Sequence, residues 1–149
     1  MIKVLIFFIS IIQIAYGFPL TPDKTKTYGT YCTTKDKDFK EFRYKEQIPY
    51  CNRNVDSNTK NYIYNSYSIP KEDRKEYTID HLIPLALGGN NNVHNLWPEH
   101  ISLRDSRIDP TTGIKLEFLY FEKMRAGTIT QKEAIDKILK SKFNEGTNE

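Results

Sequence analysis

The chain has 149 residues, of which 22 are basic and 19 acidic, and its formal net charge is +3 at pH 7. This positive excess is too small to identify a nucleic acid or any other partner, so charge alone assigns no function. The length fits one domain with a hydrophobic core, and neither an internal repeat nor a long low-complexity segment interrupts it.

Residues 1–17 have the features of a signal peptide. One lysine precedes an apolar stretch over residues 4–14, and small residues stand at the two positions that a signal peptidase reads, so we expect cleavage before Phe18. The apolar run is shorter than the roughly 20 residues that cross a bilayer, which argues against a membrane anchor. We expect a secreted or periplasmic protein of residues 18–149 without membrane attachment.

The chain contains two cysteines, Cys32 and Cys51. In an exported protein such a pair indicates a disulfide, which would stabilise the fold by about 3 kcal/mol. Free thiols are less expected outside the cytosol, and a zinc site would need further Cys or His residues nearby. Because residues 18–57 show no clear periodicity, we expect loops and short strands held by this bridge.

The middle of the chain predicts one short helix and a hairpin. Residues 59–67 follow the capping residues Ser57 and Asn58, and the helix should end before a proline. Residues 77–85 and 93–97 have strand character, and a loop rich in Gly and Asn separates them. We therefore expect two antiparallel strands joined by a wide loop.

The C-terminal part predicts two helices. Gly127 should end the first, and Thr130 with Glu133 forms a capping box for the second. The apolar faces expected to lie in the core are Ile114, Phe118, Phe121 and Met124 in the first helix, and Ala134, Ile135, Ile138 and Leu139 in the second. Both stripes are assigned to packing, with no chemical role.

All three histidines of the chain, His81, His94 and His100, fall within one short window that also contains Asp80. Neutral imidazole is well suited to removing a proton from water near neutral pH, and a cation would offset the charge that develops on a phosphate. Adjacent side chains on a strand point in opposite directions. A twist or bulge of the backbone there would let Asp80 and His81 converge on one phosphate.

Residues 80–89 read DHLIPLALGG, and residues 95–98 read NLWP. This combination closely resembles the HNH endonuclease motif, whose core corresponds here to about residues 77–104. The resemblance implies an α+β fold with a ββα-metal core, formed by an antiparallel hairpin and a helix. Flanking helices and the disulfide-closed N-terminal segment would surround that core.

The same resemblance implies roles for individual residues. His81 matches the general base, and Asp80 matches a metal ligand. Asn95 matches the motif's middle asparagine, which holds the strand and loop so that the base is correctly oriented. Mg²⁺ is the expected ion, with Mn²⁺ and Zn²⁺ as alternatives.

The second metal ligand is harder to assign. Many family members place it nine residues beyond the position of Asn95, where this chain has Arg104, and a guanidinium has no lone pair to offer. We expect His100 to take this role. The alternatives are Asp105 or Asp109, or a metal held by Asp80 with waters and the substrate phosphate alone. His94 would point away from Asn95 on a strand and is expected at the surface.

Three arginines are candidates for binding substrate phosphates: Arg104 and Arg107 on the helix after the motif, and Arg53 close to a cysteine. A solvated helix face explains Arg104 and Arg107 equally well. The resemblance predicts an endonuclease that hydrolyses DNA, with RNA as an open alternative. Little sequence preference is expected, because no base-reading module is recognisable in the sequence. Two rivals remain: a binding module without turnover, and a nuclease toxin neutralised by an immunity protein or other inhibitor.

Overall fold

The computed structural model describes residues 21–143. Within this range the chain forms two separate two-stranded antiparallel sheets and four α-helices, so the mixed α+β class expected from the sequence is confirmed. The signal peptide expected over residues 1–17 lies outside the described residues. Across residues 21–143, no helix is long and apolar enough to cross a membrane.

The first sheet is a short hairpin tied to the preceding segment by a disulfide. Strand β1 (Phe39–Arg43) pairs with β2 (Ile48–Cys51). Cys32 and Cys51 are bonded, with their Cα atoms 5.7 Å apart and both side chains buried. The predicted disulfide is therefore confirmed, and it fixes the chain just ahead of Arg53.

Helix α1 covers Ser57–Ser66 and begins two residues before the expected range of 59–67. The reason is its cap: the Asp56 carboxylate accepts a hydrogen bond from the backbone N–H of Thr59 at 2.7 Å. Its buried residue, Ile63, packs against Ile79 and Leu96 of the second hairpin, and the three form a hydrophobic cluster.

The second sheet pairs β3 (Tyr77–His81) with β4 (Leu96–His100), so the predicted antiparallel hairpin is confirmed while its boundaries change. The first strand ends before residue 85 because Pro84 leads into a 3₁₀ turn. The second begins at residue 96 rather than 93, since the Asn92 side chain accepts from the backbone N–H of His94 and starts another 3₁₀ turn.

Three helices complete the described chain: α2 (Ile101–Ser106), α3 (Leu116–Arg125) and α4 (Gln131–Lys142). The capping box of Thr130 and Glu133 is confirmed, and Gly127 follows α3 with a φ of 72°. The main core cluster joins the second hairpin's loop, the first hairpin and the last two helices. Its buried residues are Ile48, Ile83, Leu87, Met124, Ala134, Ile135 and Ile138.

The expected core face of the third helix is only partly correct. Met124 is buried, but Phe118 is 55% exposed and Ile114 is 37% exposed. Ile114 precedes the helix, so helical periodicity does not apply to it. Phe118 faces solvent, since the residues of α3 that pack against the core cluster are Leu116, Tyr120 and Met124.

Candidate active site

His81 ends strand β3 and is held by hydrogen bonds at both ring nitrogens. Its Nε2 lies 3.0 Å from Oδ1 of Asn91, and its Nδ1 lies 3.3 Å from a guanidinium nitrogen of Arg53. A guanidinium can only donate, so Nδ1 must present a lone pair. The proton therefore sits on Nε2, and the imidazole is neutral with its basic nitrogen next to Arg53.

The orientation of the Asn91 amide is itself fixed. Its Nδ2 donates to Oδ2 of Asp38 at 3.0 Å and to the carbonyl of Asn52 at 2.8 Å, and both partners can only accept. Oδ1 also accepts from the backbone N–H of Asn54 at 3.2 Å. The segment around the disulfide thus determines the tautomer of His81.

Burial lowers the pKa of His81, the hydrogen bond to Asn91 acts in the opposite direction, and the positive charge of Arg53 lowers the pKa further. The net pKa is below the ordinary value of 6.5. The ring is therefore neutral at pH 7 and available as a base.

Asp80 takes part in a buried ionic network. The ammonium of Lys142 donates to Oδ2 of Asp80 and to the carbonyl oxygen of His81, both at 2.6 Å, and it lies 2.8 Å from Oε1 of Glu117. Lys142 is fully buried, whereas the Asp80 side chain is 22% exposed. Burial alone would raise the pKa of Asp80, but the Lys142 ammonium outweighs it and the net pKa lies below 3.8.

Glu99 is fully buried in strand β4, where it forms an ion pair with Arg107 through Oε1. Its Oε2 atom is buried and has no hydrogen-bond partner among the described residues. Burial, together with the nearby negative charge of Asp80, raises the pKa of Glu99 to about 7, although Arg107 and Lys142 act in the opposite direction. Glu99 therefore has an oxygen capable of accepting another positive partner.

The raised pKa of Glu99 predicts a specific dependence of stability on pH. Between pH 4.5 and about 7 the folded state holds a proton that the unfolded state releases, so the free energy of unfolding falls as pH rises. In EDTA, we expect wild type to lose roughly 3 kcal/mol across this window relative to Glu99→Gln. Urea unfolding at a series of pH values measures this, and parallel curves for the two proteins would refute it.

The register of the hairpin determines which side chains share a face. Asp80 lies opposite Trp97, and Thr78 opposite Glu99, so these four side chains lie on one face. His81 lies on the other face. Pairing continues without a register shift through both residues, so β3 has no bulge between Asp80 and His81.

The two side chains instead flank the open edge of β3. The carbonyl groups of Ile79 and His81 point away from β4. Hydrogen-bonded positions alternate along the ladder, and Leu82, whose N–H donates to the carbonyl of Asn95, occupies one of them, as does Asp80 two residues before it. Arg53 donates to the Ile79 carbonyl at 2.9 Å, and Lys142 donates to the His81 carbonyl. A ligand bound at this edge would have Asp80 on one side and His81 on the other, with the cationic side chains of Arg53 and Lys142 nearby.

A cleft of about 560 Å³ opens beside the Asp80 face. Its charged lining consists of Arg53, Lys60, Arg104, Arg107 and Lys115, together with Asp80, Glu99 and Glu117. All three arginines singled out from the sequence therefore meet in one cleft with Asp80. Basic groups outnumber acidic ones there, which favours an anionic ligand.

The Asn95 side chain is hydrogen-bonded to the backbone at both ends of the loop between β3 and β4. Its Oδ1 accepts from the backbone N–H of Ile83 at 2.9 Å, and its Nδ2 donates to the carbonyls of Ile83 and Asn90 at 3.0 and 2.9 Å. Gly89 passes so close that a Cβ would collide with the carbonyl oxygen of Ile83. The amide thus joins both ends of the loop that supports His81 and Asn91.

The structure does not bring His100 to Asp80. His100 pairs with Tyr77, on the face opposite Asp80, and its Nδ1 lies 2.8 Å from the hydroxyl of Ser102 at the start of α2. Strand parity explains this, since His100 follows Glu99 and so points the other way. His94 is stacked on Tyr28, with ring centroids 4.7 Å apart.

The alternative ligands and the cysteines are also engaged elsewhere. Asp105 pairs with Lys115 at 3.2 Å, and Asp109 accepts from the backbone N–H of Thr112 at 2.7 Å. Within residues 21–143, the ligand cluster of Cys32, Asp36 and Cys51 uses sulfurs already bonded to each other, so it offers no thiolates.

The pair of Asp80 and Glu99 fits a divalent cation better. The Oε2 of Glu99 is a buried, unpartnered carboxylate oxygen on the same face as Asp80. Carboxylate oxygens are the ligands that Mg²⁺ and Mn²⁺ prefer.

Sequence reasoning did not identify three of these residues: Glu99, Asn91 and Lys142. One signal was available for Lys142, which continues the buried stripe of Ile135 and Ile138 at helical spacing. A lysine on an apolar stripe implies a buried partner. The other two residues become recognisable only once the register of β4 and the path of the loop are known.

Comparison with family models, with curated proteins and with solved structures gives no significant match. The functional interpretation therefore depends on the motif resemblance and on the geometry described above.

Proposed function

We propose that this protein is a secreted, metal-dependent endonuclease of the HNH type. In this proposal β3, β4 and α2 form the ββα unit of that class. An antiparallel hairpin followed directly by a helix supports it, with Asp80 and His81 at the end of the first strand and Asn95 just before the second. The disulfide is consistent with export.

The observation that carries the proposal is the state of His81. A neutral imidazole, with its proton fixed on Nε2 by Asn91, presents the Nδ1 lone pair to Arg53 at the rim of a cationic cleft. A general base needs this arrangement: an orienting partner on one nitrogen and a lone pair directed at the reacting group. A histidine serving only to fill the core would not need a guanidinium at its basic nitrogen.

The reaction follows from these groups. Arg53 donates two hydrogen bonds to oxygens of the phosphodiester. Nδ1 of His81 then loses its contact with Arg53 and accepts a hydrogen bond from a water molecule. His81 takes a proton from this water while the water oxygen bonds to phosphorus. The bond from phosphorus to the 3′ oxygen breaks, its electron pair stays on that oxygen, and solvent supplies the proton. The product then carries a 5′-phosphate.

Asp80 would hold the divalent cation, with Mg²⁺ expected first and Mn²⁺ or Zn²⁺ as alternatives. When bound, such a cation offsets the negative charge that develops on the phosphate and on the leaving oxygen. Arg104 and Arg107 line the same cleft and would bind neighbouring phosphates. Contacts to phosphates carry no sequence information, so little sequence preference is expected.

The experiment is a cleavage assay with the purified protein on supercoiled plasmid, single-stranded DNA and RNA. We expect supercoiled plasmid to become nicked in Mg²⁺ or Mn²⁺, no cleavage in EDTA, and recovery when Mg²⁺ is added in excess. Comparing the three substrates decides between DNA and RNA. Equal cleavage in EDTA would contradict the metal requirement.

One observation favours a second candidate, a nucleic-acid-binding module without turnover. Lys142 already provides Asp80 with a buried cation, so the carboxylate is neutralised without a metal. In that case the basic cleft binds nucleic acid and cleaves nothing. Tight binding of a labelled oligonucleotide in fluorescence anisotropy, with no cleavage in any divalent metal, would favour this module over the nuclease.

A further inference from the structure

The buried Glu99 carboxylate lies on the same face of the hairpin as Asp80. We propose that Glu99 and Asp80 together bind the divalent cation, with Glu99 as the second protein ligand. This inference rests on the proposed metal-dependent function and extends it, since neither the motif nor the expected His100 supplies such a ligand.

The register brings the two carboxylates together. Asp80 lies opposite Trp97, and Glu99 is two residues further along β4, so the two are diagonal neighbours on one face. Such neighbours have Cα atoms roughly 7–8 Å apart, and Asp and Glu side chains pointing from the same face can converge on one ion. Both residues also line the cleft.

The polar atoms of Glu99 indicate that a partner is needed. Arg107 binds Oε1, whereas Oε2 is buried and unpartnered within the described part of the chain. A buried acceptor without a partner is unfavourable, and native proteins keep few of them. Since Oε2 belongs to a fully buried side chain lining the cleft, a cation there would satisfy it.

Neighbouring groups do not provide an equivalent ligand. The Glu117 side chain is 41% exposed and has no buried, unpartnered oxygen like Oε2 of Glu99, and His100 lies on the opposite face of the hairpin. Two carboxylates, with water and a substrate phosphate completing the shell, are the ligand set that suits Mg²⁺ or Mn²⁺. A nitrogen or thiolate ligand, which would favour Zn²⁺, is not part of it.

Mn²⁺ binding to the purified protein without nucleic acid tests this inference, with free Mn²⁺ measured by electron paramagnetic resonance. We expect one site in wild type, a dissociation constant at least about tenfold weaker in Glu99→Gln, and nearly unchanged binding in His100→Ala. Glu72→Gln makes the same substitution at an exposed residue and should bind like wild type. Loss of binding in His100→Ala, with binding retained in Glu99→Gln, would overturn the inference.

A second measurement needs no variant. Trp97 is the chain's one tryptophan and lies opposite Asp80, so its indole N–H gives a unique NMR signal beside the proposed site. Substoichiometric Mn²⁺ should broaden this signal strongly. An unaffected indole signal at concentrations where Mn²⁺ binds would place the ion elsewhere and overturn the inference.

The plasmid assay separates this inference from the proposed function. If wild type cleaves DNA only with metal while Glu99→Gln binds Mn²⁺ normally, the ligand assignment fails and the nuclease remains. If wild type cleaves nothing yet Glu99→Gln loses Mn²⁺ binding, the metal site remains and the nuclease fails.

Discussion

Replacing His81 by alanine is expected to reduce metal-dependent plasmid nicking by about 10²–10⁴-fold, the usual contribution of a general base. The variant loses the Nδ1 lone pair that faces Arg53, and the other imidazole on that face of the hairpin, His100, lies at the opposite end of β3, paired with Tyr77. Initial nicking rates in Mg²⁺ at pH 7.5 measure the effect. Because His81 is buried, thermal unfolding of the variant must be measured alongside.

The matched control is His94→Ala, which removes an imidazole from the Tyr28 stack at the other end of the hairpin loop. It should nick plasmid within a few-fold of wild type. If His81→Ala is folded and cleaves at the wild-type rate, the proposed base is wrong. If both variants lose activity equally, the loss reflects general disruption rather than the loss of a base.

Replacing Lys142 by methionine is expected to lower the free energy of unfolding by about 3 kcal/mol, the low end for breaking a buried ion pair. The substitution leaves Asp80 and Glu117 without their shared cation, although both are partly exposed and can hydrate. The unfolding midpoint should fall by about 10 °C. Urea and thermal unfolding at pH 7 measure these changes.

Lys140→Met is the control, because it makes the same substitution at an exposed position of α4 and should change stability by less than about 0.5 kcal/mol. The ionic origin can also be tested by pH. Lys142 holds the pKa of Asp80 below 3.8, so its stabilisation is present above that pH and is lost as pH falls through the lowered value. A deficit in Lys142→Met that stays constant down to pH 3 would indicate lost packing instead.

Local rules made much of the fold predictable. The capping box at Thr130 and Glu133, the glycine that ends α3 and the pairing of Cys32 with Cys51 each depend on chemistry within a short segment or on a single pair. The hairpin was equally predictable, since two strand-like runs flank a loop rich in Gly and Asn. Its boundaries were not, because Pro84 and the side chain of Asn92 impose 3₁₀ turns inside those runs.

The sequence singled out Asp80, His81 and Asn95 only through the motif, and these residues lie at the end of β3 and just before β4. His100 does not reach Asp80, because spacing along the chain does not reveal strand parity. Glu99 is adjacent in sequence and lies on the required face. The contacts of Lys142 with Asp80 and His81 cross more than sixty positions, and no local pattern identifies these partners.

In the proposed reaction, a cation at Asp80 and the imidazole of His81 act on one phosphate from opposite sides of the β3 edge. A crystal structure of His81→Ala bound to Mn²⁺ and a short DNA duplex, with the ion located by anomalous scattering, tests this arrangement. We expect an ion in direct contact with the Asp80 carboxylate and a phosphate between that ion and position 81. An ion remote from Asp80, or a phosphate that cannot be reached from position 81, would contradict it.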